Sequence, residues 1–139
     1  MRRVRGWVRY PETDRRGVVY HGHYLVWFEL GRTELMREIG TPYAGLEAEG
    51  LFMPVIEAGA RYQSPVRYDE QVEVETTVQE VTGVCVRFSY KLFRPPEADP
   101  VADGFTLHAA VNLQGSARRL PQPLRERLAA LIPARENRA

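Results

Sequence analysis

The sequence predicts an α+β domain in which a curved antiparallel sheet wraps one long central helix, with a short helix near the C-terminus. Three observations point there. Residues 23–39 repeat apolar side chains at helical spacing over more than half the helix circumference. Beyond residue 51 the period drops to two, with turn residues between the segments. A helix that is apolar around most of its girth has to be enclosed, and only four or five strands are available to enclose it. A sheet with the helix on one face and a second subunit over the remainder meets the same requirement. Either arrangement implies a homo-oligomer, because the edges of so short a sheet need cover.

The elements follow in order. Residues 2–10 alternate, with Val4 and Val8 on one parity and Arg3, Arg5, Trp7 and Arg9 on the other, which suits a strand with one wetter face. Residues 11–22 form a long loop carrying Asp14, Gly17 and Gly22. From His23 the pattern turns helical: Tyr24, Trp27, Phe28, Gly31 and Leu35 share a face, with Leu25, Leu30 and Ile39 beside them. Gly40 in the C′ position and Pro42 after it end this helix. Residues 42–51 connect to a segment over 52–68 that Pro54 and Pro65 interrupt. Val72, Val74, Thr76 and Val78 alternate cleanly, and after the turn at Thr82-Gly83 so do Val84, Val86, Phe88, Tyr90 and Leu92. Pro95-Pro96 closes that strand, and residues 101–113 supply another, containing Gly104 and His108. Leu120, Leu124, Leu128, Leu131 and Ile132 lie on one face of a short helix begun by Pro121 and Pro123.

Composition bounds the function. A chain of 139 residues, 44% hydrophobic and 27% charged, reads as one soluble globular domain over residues 1–139. It is long enough to build a core without staples. The single cysteine, Cys85, excludes an internal disulfide, CxxC redox sites and iron-sulfur ligation, and suits a reducing cytoplasm. The longest apolar run, Leu25-Val26-Trp27-Phe28, is far too short to insert in a membrane, and no signal peptide is recognisable. A net charge of +1 argues against nucleic acid as partner. Arginine supplies every basic residue but Lys91, in clusters at Arg2, Arg3 and Arg5, at Arg15 and Arg16, and at Arg118 and Arg119; solvated faces account for them more simply than phosphate sites. No G-x-G triplet and no phosphate-binding G-x-x-x-x-G-K-[ST] occurs, so no nucleotide cofactor is implied.

The catalytic patterns that need several residues are missing. There is no G-x-S-x-G around Ser64, Ser89 or Ser116 and no H-E-x-x-H. His21 and His23 at a helix start lack a third histidine, so structural or substrate-facing roles come ahead of metal binding, and no metal is expected. Cys85 shares its strand face with Arg87, Ser89 and Lys91 and reads as a half-exposed spectator. Asp14 stands out. It lies in a loop that ends at a helix N-terminus, where unpaired N–H groups and partial positive charge can hold a developing oxyanion and keep a carboxylate ionised. Gly17 and Gly22 let the backbone turn sharply and approach a ligand. By spacing alone Asp14 also fits a turn or capping role.

The stretch 9–34, RYPETDRRGVVYHGHYLVWFELGRTE, resembles the signature of the 4-hydroxybenzoyl-CoA thioesterase family, hotdog-fold acyl-CoA thioesterases, including the group associated with the Tol-Pal system. The core D-x-x-G-x-V-Y-H runs from Asp14 to His21, and residues 65–70 (PVRYDE) and 104–108 (GFTLH) resemble two later blocks. The resemblance implies Asp14 as the catalytic residue, with the backbone N–H of His21, and Gly22 beside it, polarising the thioester carbonyl. It implies a substrate site lined by Gly17, Val18, Tyr20, His23 and Tyr24, placed at a subunit interface where residues 54–61 of a second copy, including Pro54, Val55 and Arg61, line the acyl pocket. His23 stands where the family commonly has asparagine, replacing a capping amide by an imidazole whose ordinary pKa is ~6.5.

So spare a site suits thioester hydrolysis, because a thiol of pKa ~8.5 leaves as thiolate without a strong general acid. The expected function is cytoplasmic acyl-CoA hydrolysis to a free acid and coenzyme A, by a homodimer or homotetramer. Coenzyme A enters as part of the substrate and water is the only cosubstrate. Asp14 attacks the carbonyl or acts as base toward water; both need it in nearly the same place. Tyr20, Tyr24 and Trp27 could shape the acyl pocket, although the spacing of Trp27 favours the core. Glu29 and Glu34 are the rival carboxylates, with Glu29 and Arg32 spaced for a structural i,i+3 ion pair. The rival functions are a non-enzymatic acyl-thioester binder or cell-envelope adaptor, and a hydratase or dehydratase of the same fold.

Overall fold

The strands Arg2–Trp7, Gln71–Val81 and Cys85–Phe93 follow from runs of alternating side chains, and the central helix from a long run at helical period. The computed structural model describes residues 2–133, so the two ends of the 1–139 domain expectation lie outside the described residues. The elements are β1 (Arg2–Trp7), α1 (His23–Glu38), α2 (Tyr43–Ala48), β2 (Val55–Tyr62), β3 (Gln71–Val81), β4 (Cys85–Phe93), β5 (Ala102–Ala109) and α3 (Gln122–Ala130). The strands form one antiparallel sheet in the order β1-β3-β4-β5-β2, so the first two strands in sequence lie at opposite edges.

α1 lies against the inner face of this sheet. It buries Tyr24, Trp27, Phe28, Gly31, Arg32, Leu35 and Met36, which places Trp27 in the core. Phe28 stacks on Tyr90 of β4 with ring centroids 4.5 Å apart. Leu120, just ahead of α3, and Leu124 and Leu128 within it extend the same core. The enclosure of α1 within one chain is incomplete. Leu25, Val26 and Leu30 keep 39%, 49% and 39% exposure, so its outer side has no cover among the described residues.

Two departures from the sequence reading concern local geometry. Residues 42–51 contain α2, six residues long, which buries only Leu46 and therefore has almost no periodic signature. The arginines of β1 are engaged: Arg3 donates to Glu75 at 2.8 Å and Arg5 to Glu73 at 2.8 Å across the β1–β3 pair. That cluster is a cross-strand charge ladder.

Close approach at Gly104 sets the depth of the core. A Cβ there would lie 2.4 Å from the Gly59 carbonyl oxygen and 2.6 Å from the Phe28 ring. Since backbone forms one of those walls, Gly104→Ala should destabilise the protein by about 1–3 kcal/mol in urea unfolding. An unchanged midpoint would contradict this packing.

Candidate active site

The loop between β1 and α1 is built around Asp14. Residues 10–12 make one 3-10 turn, after which the chain doubles back. The N–H of Asp14 donates to Val18 O at 2.7 Å, and that of Gly17 to Asp14 O at 3.1 Å. Gly17 has φ of +76°, a conformation that favours glycine, so its part is to make the turn. The N–H of Val19 donates to Val66 O at 2.8 Å and ties the loop to the segment before β3.

The Asp14 carboxylate is held by its own neighbour. The Arg16 backbone N–H donates to Oδ1 at 2.8 Å and the Arg16 guanidinium to Oδ2 at 3.1 Å. The Arg16 N–H is the main reason the carboxyl lies below its ordinary pKa; partial burial opposes it and the guanidinium adds to it. The Arg16 contacts favour the ionised carboxylate.

The opening of α1 supplies donors. The N–H of His23 is used by Tyr20 O at 2.9 Å, whereas those of His21 and Gly22 have no backbone acceptor among the described residues. Gly22 has an ordinary helical φ of −67°, so the glycine is needed for room and not for its φ: a Cβ would lie 2.9 Å from the Tyr20 ring. The Tyr62 hydroxyl donates to the His21 carbonyl at 2.9 Å and braces this turn from β2.

Asp14, Tyr20, Gly22 and His23 line one depression of about 460 Å³, together with Glu12 and Val26. Val18, His21 and Tyr24 line a neighbouring one of about 320 Å³ with Tyr62. The two imidazoles therefore face different spaces. His21 lies against Tyr20, with ring centroids 4.3 Å apart, and His23 edge-on to Trp27 at 5.2 Å. One chain does not bring Pro54, Val55 or Arg61 to Asp14. Pro54 lines another cavity, Val55 is exposed on edge strand β2, and Arg61 pairs with Asp103 at 3.3 Å.

Glu12 is the site residue that sequence reasoning missed. It is buried beside Asp14, accepts the Arg9 N–H at 2.6 Å, and puts Oε2 2.6 Å from His23 Nε2, close but misaligned for a hydrogen bond. The only signal was a glutamate three positions after Arg9, a capping-box spacing without the usual Ser or Thr. The rival carboxylates lie elsewhere: Glu34 pairs with Arg37, and Glu29 is exposed. Contrary to expectation Glu29 makes no ion pair with Arg32, because Arg32 turns inward toward Tyr43 and Tyr90. Cys85 is half-buried, as its parity indicated.

A five-stranded antiparallel sheet packed on one long helix, with a loop carboxylate at that helix's opening, defines a hotdog-fold domain of the thioesterase type. The chain belongs to the Thioesterase-like superfamily, which it matches over residues 8–132. It is 39% identical over 88 residues to acyl-CoA thioesterase YbgC of Haemophilus influenzae, covering 63% of this chain and 65% of that protein. The chain thus spans just under two thirds of the length of that relative. Among solved structures, hypothetical protein TT1821 from Thermus thermophilus is 37% identical, with a TM-score of 0.86 over 93% of this chain and 98% of that one. DHNA-CoA thioesterase from Staphylococcus aureus is 27% identical, with a TM-score of 0.85 over 92% and 87% of the two chains.

Proposed function

We propose that this protein is an acyl-CoA thioesterase with Asp14 at the reaction centre. The observation that carries the reading is one depression bordered by both the ionised Asp14 carboxylate and Gly22, whose N–H is unpaired, with the unpaired His21 N–H bordering the adjoining one. A thioester carbonyl polarised by the N–H groups of His21 and Gly22 accumulates charge on oxygen as it is attacked. The attacking oxygen belongs either to Asp14, giving an acyl anhydride that water then opens, or to a water that Asp14 deprotonates. Either route breaks the C–S bond and yields a carboxylic acid and coenzyme A thiol. Gly17, Val18, Tyr20, His23 and Tyr24 then surround the acyl end, with Gly17 acting through the turn it makes.

The site is completed by a second copy. The two sheet edges differ: β1 carries Arg2, Arg3 and Arg5, whereas β2 leaves Val55 and Ile56 44% and 56% exposed. Charged edges resist pairing and apolar ones invite it, so β2 is the edge that joins two subunits in a homodimer, or in a homotetramer of dimers. Pro54, Val55 and Arg61 of that copy supply the remaining wall of the acyl pocket. Relatives named acyl-CoA thioesterases and the D-x-x-G-x-V-Y-H motif support this activity, and the motif's resemblance to the 4-hydroxybenzoyl-CoA and Tol-Pal-associated branches favours a substrate of that kind. A cytoplasmic location fits the unpaired Cys85.

The test is thiol release from a panel of aromatic and aliphatic acyl-CoAs, with enoyl-CoA hydration assayed alongside. Acid and free coenzyme A should form together with no hydration. Binding of acyl-CoA without turnover would sink the enzymatic reading.

A further inference from the structure

Arg32 is the least expected charge in this core. It projects from the buried face of α1, retains 9% exposure, and makes no ion pair among the described residues. Its surroundings are neutral hydroxyls, those of Tyr43 and Tyr90. The chain pairs this guanidinium with no carboxylate, which leaves it open to an anion from outside.

The hydrogen bonds behind Arg32 show which way it is free. His108 Nδ1 lies 2.9 Å from the Met53 carbonyl, which can only accept, so Nδ1 carries the proton of the neutral ring and Nε2 accepts. Nε2 therefore takes the Thr106 hydroxyl proton at 2.8 Å, and Thr106 Oγ1 takes that of Tyr90 at 2.6 Å. Every donor in this chain is spent inward. The Tyr90 oxygen is left with lone pairs for the guanidinium beside it, and Arg32 also borders open space.

That space is a cavity of about 550 Å³ between α1, α2 and the segments flanking β2 and β5. That is the size of a small-molecule site. Arg32 and Tyr43 line it, and Phe52, Met53 and Val111 give apolar walls. The Tyr43 hydroxyl is buried beside Arg32 and has no other hydrogen-bond partner among the described residues. Glu29 and Glu47, both exposed, also border the cavity. Their charge disfavours a phosphate dianion or any ligand with a second negative group, while a single carboxylate at the inner end stays beside Arg32.

We infer that this cavity is a binding site for a small monocarboxylic acid with an apolar body, the carboxylate held by Arg32 and the Tyr43 hydroxyl and the body by Phe52 and Met53. The inference stands on residues other than Asp14 and holds whether or not the chain hydrolyses thioesters.

Benzoate is the probe, with the isosteric neutral amide benzamide and inorganic phosphate as comparisons, titrated into the full chain by NMR. Benzoate should bind at about millimolar Kd, with contacts from its ring protons to the Met53 methyl. Benzamide and phosphate should bind at least about tenfold more weakly. Arg32→Met should abolish benzoate binding, Tyr43→Phe should weaken it severalfold, and Asp14→Asn should leave it unchanged. Equal binding of benzoate and benzamide, no ring-proton contact to the Met53 methyl, or no saturation up to about ten times the expected Kd would overturn the site in the unmodified protein, even if Arg32→Met fails to fold. Loss of benzoate binding in Asp14→Asn would relocate the acid to the reaction centre and overturn it as well.

Discussion

Asp14→Asn lowers kcat/KM for acyl-CoA hydrolysis by about a hundredfold to ten-thousandfold, the range that a positioned base or nucleophile supplies. The substitution keeps the size of the side chain and an oxygen able to accept the Arg16 N–H, now at 2.8 Å. It removes the negative charge and the capacity to take a proton or attack carbon. The turn from Asp14 to Val18 is made by backbone groups, so the variant should unfold at nearly the wild-type temperature. Because the carboxyl lies below its ordinary value of 3.8, the acid limb of the wild-type rate should fall below that pH, with no loss assignable to Asp14 between about pH 5 and 8. Thiol-release kinetics on both proteins, with circular dichroism to confirm folding, decide it. A variant that turns over at the wild-type rate removes Asp14 from the chemistry.

The second large effect is on stability in acid. His108 is 1% exposed, and burial, the dominant cause, lowers its pKa from 6.5 to about 4; the Met53 carbonyl opposes this and Arg32 adds to it. The unfolded chain therefore takes up a proton near pH 6.5 that the folded chain refuses until about pH 4. The stabilisation is complete above the unfolded value and is lost as pH falls through this interval. Each pH unit between them removes about 1.4 kcal/mol, on the order of 3 kcal/mol over the whole window. Glu73 and Glu97, held low by arginines, act below the ordinary carboxylate value of 4.5, so the upper part of the window belongs to His108. Urea unfolding at pH 7 and pH 5 measures the slope. In His108→Gln that slope should flatten, at the cost of lower stability at pH 7; an equally steep decline in the variant would assign it to other groups.

Much of this architecture was legible in the sequence because burial leaves a periodic trace. Three-to-four-residue recurrence over 23–39 matches α1 over His23–Glu38, and the alternation from Val72 to Leu92 matches β3 and β4. Asp14 stood out because a loop carboxylate ahead of a helix start is a pattern of neighbours along the chain. What periodicity does not carry is which strands meet, since ladder hydrogen bonds are made by backbone atoms common to every residue. The order β1-β3-β4-β5-β2 is for that reason a property of the assembled sheet alone.

The same limit applies to charged groups inside the fold. Arg32 and Glu12 look like surface residues by composition, and each is buried because a distant partner receives it: Tyr90 on β4 for Arg32, His23 on α1 for Glu12. The sequence by itself determined the long helix, the alternating strands and the loop that carries Asp14, but not α2. Only the tertiary structure decided strand order, the burial of Arg32 and Glu12, and the cavity in front of Arg32. The physical reason is range: propensity and periodicity act between neighbours in the chain, whereas the field and solvation at a side chain depend on whatever the fold packs around it.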